Sequence, residues 1–154
     1  MGGTIASRIS RLEMRNEACK QINDMFGLNI SVEYREDFQE LLDKDEIEED
    51  GKTFEDNALI KAKTIALKFN MITISDDSGI EVEALDWAPG VHSKRFSPTC
   101  DDNDNNKLLI EKLQGKENRT ARYACAICIY HPNGEYRIVK DYCYGKIVDE
   151  PVGD

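Results

Sequence analysis

At 154 residues the chain has the length of one domain with one sizeable core. A formal net charge of -10 repels nucleic-acid backbones and anionic membranes, so neither is an expected partner. No apolar run approaches the roughly 20 residues of a membrane span, and Met1-Gly2-Gly3-Thr4 starts no basic-then-apolar leader, so the expected compartment is the cytoplasm.

Apolar spacing predicts a helix from about Arg11 to Met25, with Ala18, Ile22 and Met25 on one face and Gly27 as its stop. Ile30, Val32 and Tyr34 alternate, which predicts a strand over 29–34. The acidic run 43–50 reads as a loop or helix end. Thr53 opens the clearest helix: Thr53 and Asp56 have capping-box spacing, and Phe54, Ala58, Ala62, Ile65 and Phe69 form one apolar stripe. Met71 to Ser75 is a short β-branched run, predicted to be a buried strand, and Ile80 to Leu85 alternates as another. Trp87 to Gly90 is a turn or loop, and a helix is predicted over Lys107 to Leu113. Arg122 to Tyr130 and Tyr136 to Val148 are predicted strands, joined by the turn His131-Pro132-Asn133-Gly134. Strands alternate with helices early and pair with each other late, so the expected fold is a single α/β domain with a central mixed β-sheet flanked by helices.

The five cysteines are odd in number and irregularly spaced, which favours reduced thiols. Cys125 and Cys128 lie three apart on a predicted strand and should face opposite sides, as core thiols rather than a ligand pair.

Chemistry concentrates at Ile74-Ser75-Asp76-Asp77-Ser78-Gly79. Two adjacent carboxylates at a strand end repel one another unless a cation or proton compensates. Magnesium takes one or two carboxylates plus substrate phosphates, and Gly79 would let the backbone turn close to a ligand. The same residues also suit an Asp/Ser turn cap. Glu48 lies in an acidic run that gains meaning only if the fold brings it beside Asp77. Of the positive groups Arg8, Arg11 and Arg15, Arg15 or Arg11 would bind phosphate if a strand ran into a helix start there, and otherwise they read as surface arginines. Lys61, one helical turn from Asn57, could reach the rim of the sheet at that strand end or stand in solvent. Ser93-Lys94-Arg95 follows the Pro-Gly loop and could contact substrate.

Three blocks then occur in order: Thr53 to Ala62, Asp76 to Val82, and Ala88 to Arg95. Together they resemble the inosine triphosphate pyrophosphatase family, and Arg119 to Cys125 and Gly145 to Gly153 extend the resemblance over nearly the whole chain. The resemblance implies hydrolysis of ITP, dITP or XTP to the monophosphate and pyrophosphate, with magnesium as cofactor and a homodimer as the assembly. It implies Asp77 as general base and metal-site carboxylate, Glu48 as the second such carboxylate, Asp76 as their acidic neighbour and Ser78 as a substrate contact. The family's opening Thr-x-Asn-x-x-Lys loop corresponds to Ser10-x-Leu12-x-x-Arg15, with Ser7 and Arg11 as a rival register. Arg15 keeps the charge with different geometry, whereas Leu12 loses the Asn hydrogen bonds. The family's Gly-Phe-Gly-Tyr-Asp-Pro block, following lysine and Ser-His-Arg motif have no counterpart before Asp154. The expectation is therefore a C-terminally truncated member. The alternative is a relative with impaired or lost catalysis that acts at most as a nucleotide- or protein-binding module.

Overall fold

The computed structural model describes Asp24, which is helical, and residues 50–150. The expected helix over 11–25, strand over 29–34 and acidic loop over 43–49 otherwise lie outside the described residues. So do Ser10, Arg15 and Glu48.

Helix α1 spans Phe54–Phe69. The Thr53 side chain accepts from the Asp56 amide while the Asp56 carboxylate accepts from the Thr53 amide, so the expected capping box is present. Asn70 ends the helix in the left-handed region at φ 51°. The stripe Phe54, Ala58, Ala62, Ile65 is buried, and Asn57 and Lys61 are buried beside it. Two polar residues thus occupy core-facing positions of an otherwise apolar face.

Strand β1 covers Thr73–Val82 without interruption. The two strands predicted over 71–75 and 80–85 are therefore one, and Asp76 and Asp77 sit inside it rather than at its end. The reason is a partner for every residue: β2 (Thr120–Tyr130) runs antiparallel with Thr73 opposite Tyr130, Asp77 opposite Ala126 and Val82 opposite Ala121. A ladder of that length outweighs the local turn preference of Asp-Ser-Gly. Residues 83–85, expected in the strand, instead form a 3-10 turn, and Gly90–Arg95 forms another. Helix α2 covers Asp102–Lys112 and starts five residues before the predicted Lys107 because Asp101 caps the amides of Asn103 and Asp104.

Strand β3 (Tyr136–Lys146) pairs antiparallel with β2 across the expected turn. Among the described residues the sheet has the order β1-β2-β3 and is antiparallel throughout. The chain is thus α/β with helices against the sheet, as expected, and no described strand pair is parallel. One sheet face carries Ala124, Ala126, Cys128 and Tyr130, packed on Phe54, Ala58, Ala62 and Ala66 of α1. Alanine against alanine lets the helix lie close to the sheet. At one end of the opposite face, Val82 and Ala121 pack with Leu109 and Leu113 from α2 and the residue after it. The rest of that face leaves Tyr123, Ile127, Ile129 and Val139 exposed. Cys125 is half-buried and Cys128 buried, on opposite faces as expected. Among the described residues no helix is long and apolar enough to cross a membrane.

Candidate active site

The close approach of α1 to β1 creates one polar cluster inside an apolar interface. Asn57 and Lys61, four residues apart, lie one above the other on the helix face, and both point at Asp77. The Asn57 Nδ2 donates to Asp77 Oδ2 at 3.1 Å, and the Lys61 Nζ donates to Asp77 Oδ1 at 3.1 Å. Lys61 is 0% exposed and Asp77 is 8% exposed. A buried ion pair holds only when geometry and additional hydrogen bonds offset desolvation. Asn57 supplies one such bond, and its own Oδ1 accepts from the Gly51 amide at 2.9 Å, which fixes which end of the amide faces Asp77.

Gly51 is itself constrained, since a Cβ there would meet Asn57 Oδ1 and the Asp56 Cβ at 2.5 and 2.7 Å. The loop just before α1 therefore packs directly on the cluster. Glu48 lies three residues earlier, outside the described residues.

Strand alternation separates the other candidates. Asp77 faces α1, whereas Asp76 and Ser78 point to the opposite face. Asp76 is 8% exposed. The Ser78 and Tyr123 hydroxyls lie 3.1 Å apart. The picture of Asp76 and Asp77 as neighbouring carboxylates aimed at one rim is thus replaced by two carboxylates on opposite sides of a strand. Lys61, open in the sequence between surface lysine and site residue, is buried on Asp77. Lys94 donates to Asp102 Oδ1 at 3.1 Å on the surface, and Arg95 is exposed, outside the Asn57–Lys61–Asp77 cluster.

Asn57 escaped the sequence reading as a part of the site, and Arg122 escaped it as the centre of a second polar contact on the same sheet face. Asn57 was legible as a polar residue on the buried stripe, at the same helical phase as Lys61. Arg122 offered only its alternating position on a strand. It binds Glu81 opposite it across the β1–β2 ladder at 2.5 Å, and its guanidinium stacks 4.0 Å from the Trp87 ring and 4.1 Å from the Tyr142 ring. The hydrogen bond to Glu81, seconded by the Tyr144 hydroxyl, raises the Arg122 pKa further above its already high value. Lys140 on β3 reaches Glu55 in the first turn of α1 at 3.1 Å. Burial alone would lower the Lys140 pKa, but hydrogen bonds to Glu55 and Tyr142 outweigh it and the net shift is upward.

The Ham1 family profile matches residues 14–154. The chain belongs to the Ham1 family. The curated relatives it matches include dITP/XTP pyrophosphatases of Exiguobacterium sp. strain AT1b, 49% identical over 113 residues, and of Acholeplasma laidlawii, 50% identical over 99 residues. The first alignment covers 73% of this chain and 58% of the relative, the second 64% and 48%, so the chain spans about half to three fifths of the relatives' length. Among solved structures, the Staphylococcus aureus Ham1 protein superposes with a TM-score of 0.73 at 30% identity, covering 94% of this chain and 71% of that one. A nucleoside-triphosphatase, dITP/XTP pyrophosphatase, from Mycobacterium abscessus gives 0.70 at 31% identity, covering 94% and 74%. These likenesses agree with the α/β fold and with the family resemblance read from the three sequence blocks.

Proposed function

We propose that this Ham1 domain hydrolyses non-canonical purine nucleoside triphosphates such as dITP, ITP and XTP to the monophosphate and pyrophosphate, with Asp77 as its central carboxylate. The observation that carries the reading is Asp77 itself. It is an almost buried acid, held by one ammonium and one oriented amide, in a chain whose relatives bear the name dITP/XTP pyrophosphatase. Among the described residues each Asp77 oxygen receives one donor and keeps further lone-pair capacity. That donor set fits a hard cation, which uses one or two carboxylates and fills its remaining positions with phosphate oxygens and water.

Asp77, with Glu48 three residues before Gly51 in the sequence, would hold magnesium. The ion would neutralise phosphate charge and orient water in an acidic protein that otherwise repels polyanions. Among the described residues no group of three or more His, Cys, Asp or Glu is clustered for a metal. In this reading Asp77 accepts the proton of the attacking water. Lys61 lies against that carboxylate, so Asp77 does not face the phosphates as an unpaired charge. Asn57 fixes the carboxylate plane. Ser78, Ser10, Arg15 and Arg95 are proposed substrate contacts, with the cations matching phosphate charge. A homodimer and a cytoplasmic location belong to the same proposal.

The test is pyrophosphate release from ITP, dITP and XTP against ATP and GTP, with and without magnesium. Asp77→Asn keeps the shape and removes the base, and should lower kcat by at least about 100-fold. Equal turnover by Asp77→Asn and the parent, or no preference for inosine and xanthine bases, would sink the reading.

A further inference from the structure

The segment after β1 doubles back along that strand's outer edge. Val82 donates its amide to the Ala88 carbonyl at 3.1 Å, and Trp87 donates to the Val82 carbonyl at 2.9 Å. Two residues nearer Asp77 the backbone contact gives way to a side chain. The Ile80 amide donates to Ser93 Oγ at 2.9 Å. The Ser93 hydroxyl has one hydrogen, and the Gly90 carbonyl at 2.6 Å takes it in preference to the Ile80 carbonyl at 3.3 Å.

Gly79 is shaped to this arrangement. A Cβ there would fall on the Ser93 hydroxyl, and would lie 2.7 Å from the Gly90 carbonyl and 3.0 Å from the Ser93 Cβ. The missing side chain of Gly79 is therefore the space that Ser93 fills. Gly79 has no need of left-handed backbone, being inside a regular strand.

We infer that Ser93 is a positioning residue, whose hydroxyl pins the outer edge of β1 just beyond Asp77-Ser78 and so fixes the carboxylate that acts in the proposed reaction. The inference rests on that reading for its kinetic consequence and on the hydrogen-bond geometry for the pin itself. Among the described residues the hydrogen bonds of the Ser93 hydroxyl go to the backbone of Ile80 and Gly90. It acts through the backbone of Gly79 and Ile80, two and three residues along the same strand from Asp77. Misplacing a reacting group by about 1 Å costs on the order of 100-fold in rate, so a looser strand edge lowers kcat while leaving substrate affinity nearly intact.

The experiment uses the full chain and the variant Ser93→Ala. Removing the hydroxyl leaves the Ile80 amide without its acceptor. The expected result is a kcat lowered about tenfold with KM changed by less than about twofold. The Ile80 amide should exchange with solvent about tenfold faster, while the ladder amides between β1 and β2 keep their protection. A merely structural role would accelerate the ladder amides as well, and that result overturns the proposal, as does an unchanged Ile80 exchange rate. A second arm compares Gly79→Ala with Gly79→Ala/Ser93→Ala. Because the added methyl already displaces the hydroxyl, the double variant should be no slower than Gly79→Ala alone, and independent, multiplying losses contradict the pin. Should the parent chain turn over no triphosphate, the proposed function falls, and the exchange rate of the Ile80 amide still decides whether Ser93 holds the strand.

Discussion

At the scale of single residues, Asp77 and Lys61 form an almost buried ion pair. Breaking a buried pair by removing one partner leaves the other charge uncompensated, which costs about 3–5 kcal/mol. Lys61→Met should therefore lower the unfolding free energy, read from urea denaturation, by an amount of that order. Adding Asp77→Asn to Lys61→Met should restore part of the loss, because the remaining amide is neutral. If Lys61→Met alone proved as stable as the parent, the pair would not be the buried contact described. The sequence revealed Lys61 and Asp77 through different signals. Asp77 stood out by its acidic neighbour, but a neighbour in sequence is on the opposite face of a strand, and Asp76 does not share its environment. Lys61 carried the better signal without its being read to the end, as a cation at i+4 from Asn57 on the apolar face of a helix, with Ala58 and Ala62 beside both. A polar pair on that stripe has to meet something polar across the interface.

At the scale of elements, α1 is the part whose position decides the site, since it carries both donors to Asp77. Its start is fixed locally by the Thr53–Asp56 box and from a distance by Lys140 reaching Glu55. Thr53→Ala should cost about 1 kcal/mol and lower Tm by roughly 2–4 °C for a chain of this size, read by thermal unfolding. An unchanged Tm would mean that the cap contributes nothing beyond what tertiary packing already imposes. Helix α1 was legible in full because cap, stripe and length agree. β1 was not, because Asp-Asp-Ser-Gly is turn chemistry at short range, and only the ten-residue ladder with β2 overrides it. The start of α2 was missed for a related reason. Asp101 to Asn106 looks like a polar loop until Asp101 is recognised as a cap and the acids after it as first-turn residues favoured by the helix dipole.

At the scale of the molecule, the sheet has, among the described residues, one face sealed by α1 and another sealed only at its α2 end. Cys128 lies on the sealed face, whereas Cys143 is exposed and faces the other way. Burial pushes the Cys128 thiol above the ordinary range. In the unfolded chain the same thiol would ionise at lower pH, so the unfolded state gains as pH rises through the ordinary thiol range and native stability falls there. With Cys19 replaced by Ser, iodoacetamide at about pH 8.5, near the ordinary thiol pKa, should modify Cys143 and Cys100 and spare Cys128, as read by peptide mass mapping. Rapid modification of Cys128 in the folded chain would contradict the packing of α1 on β2. The fold class followed from the order of elements alone. Which face stayed open did not, because alternation tells that a strand has two faces and not which helix covers either.

The stacking of Arg122 between Trp87 and Tyr142 has a practical side. The chain has one tryptophan, and that indole lies at the junction where the loop after β1 meets β2 and β3, not in the alanine-rich core. Its emission therefore belongs to a single place in the molecule. The protein carries its own optical gauge of the loop that leads to Ser93, readable without any label and separable from the melting of α1.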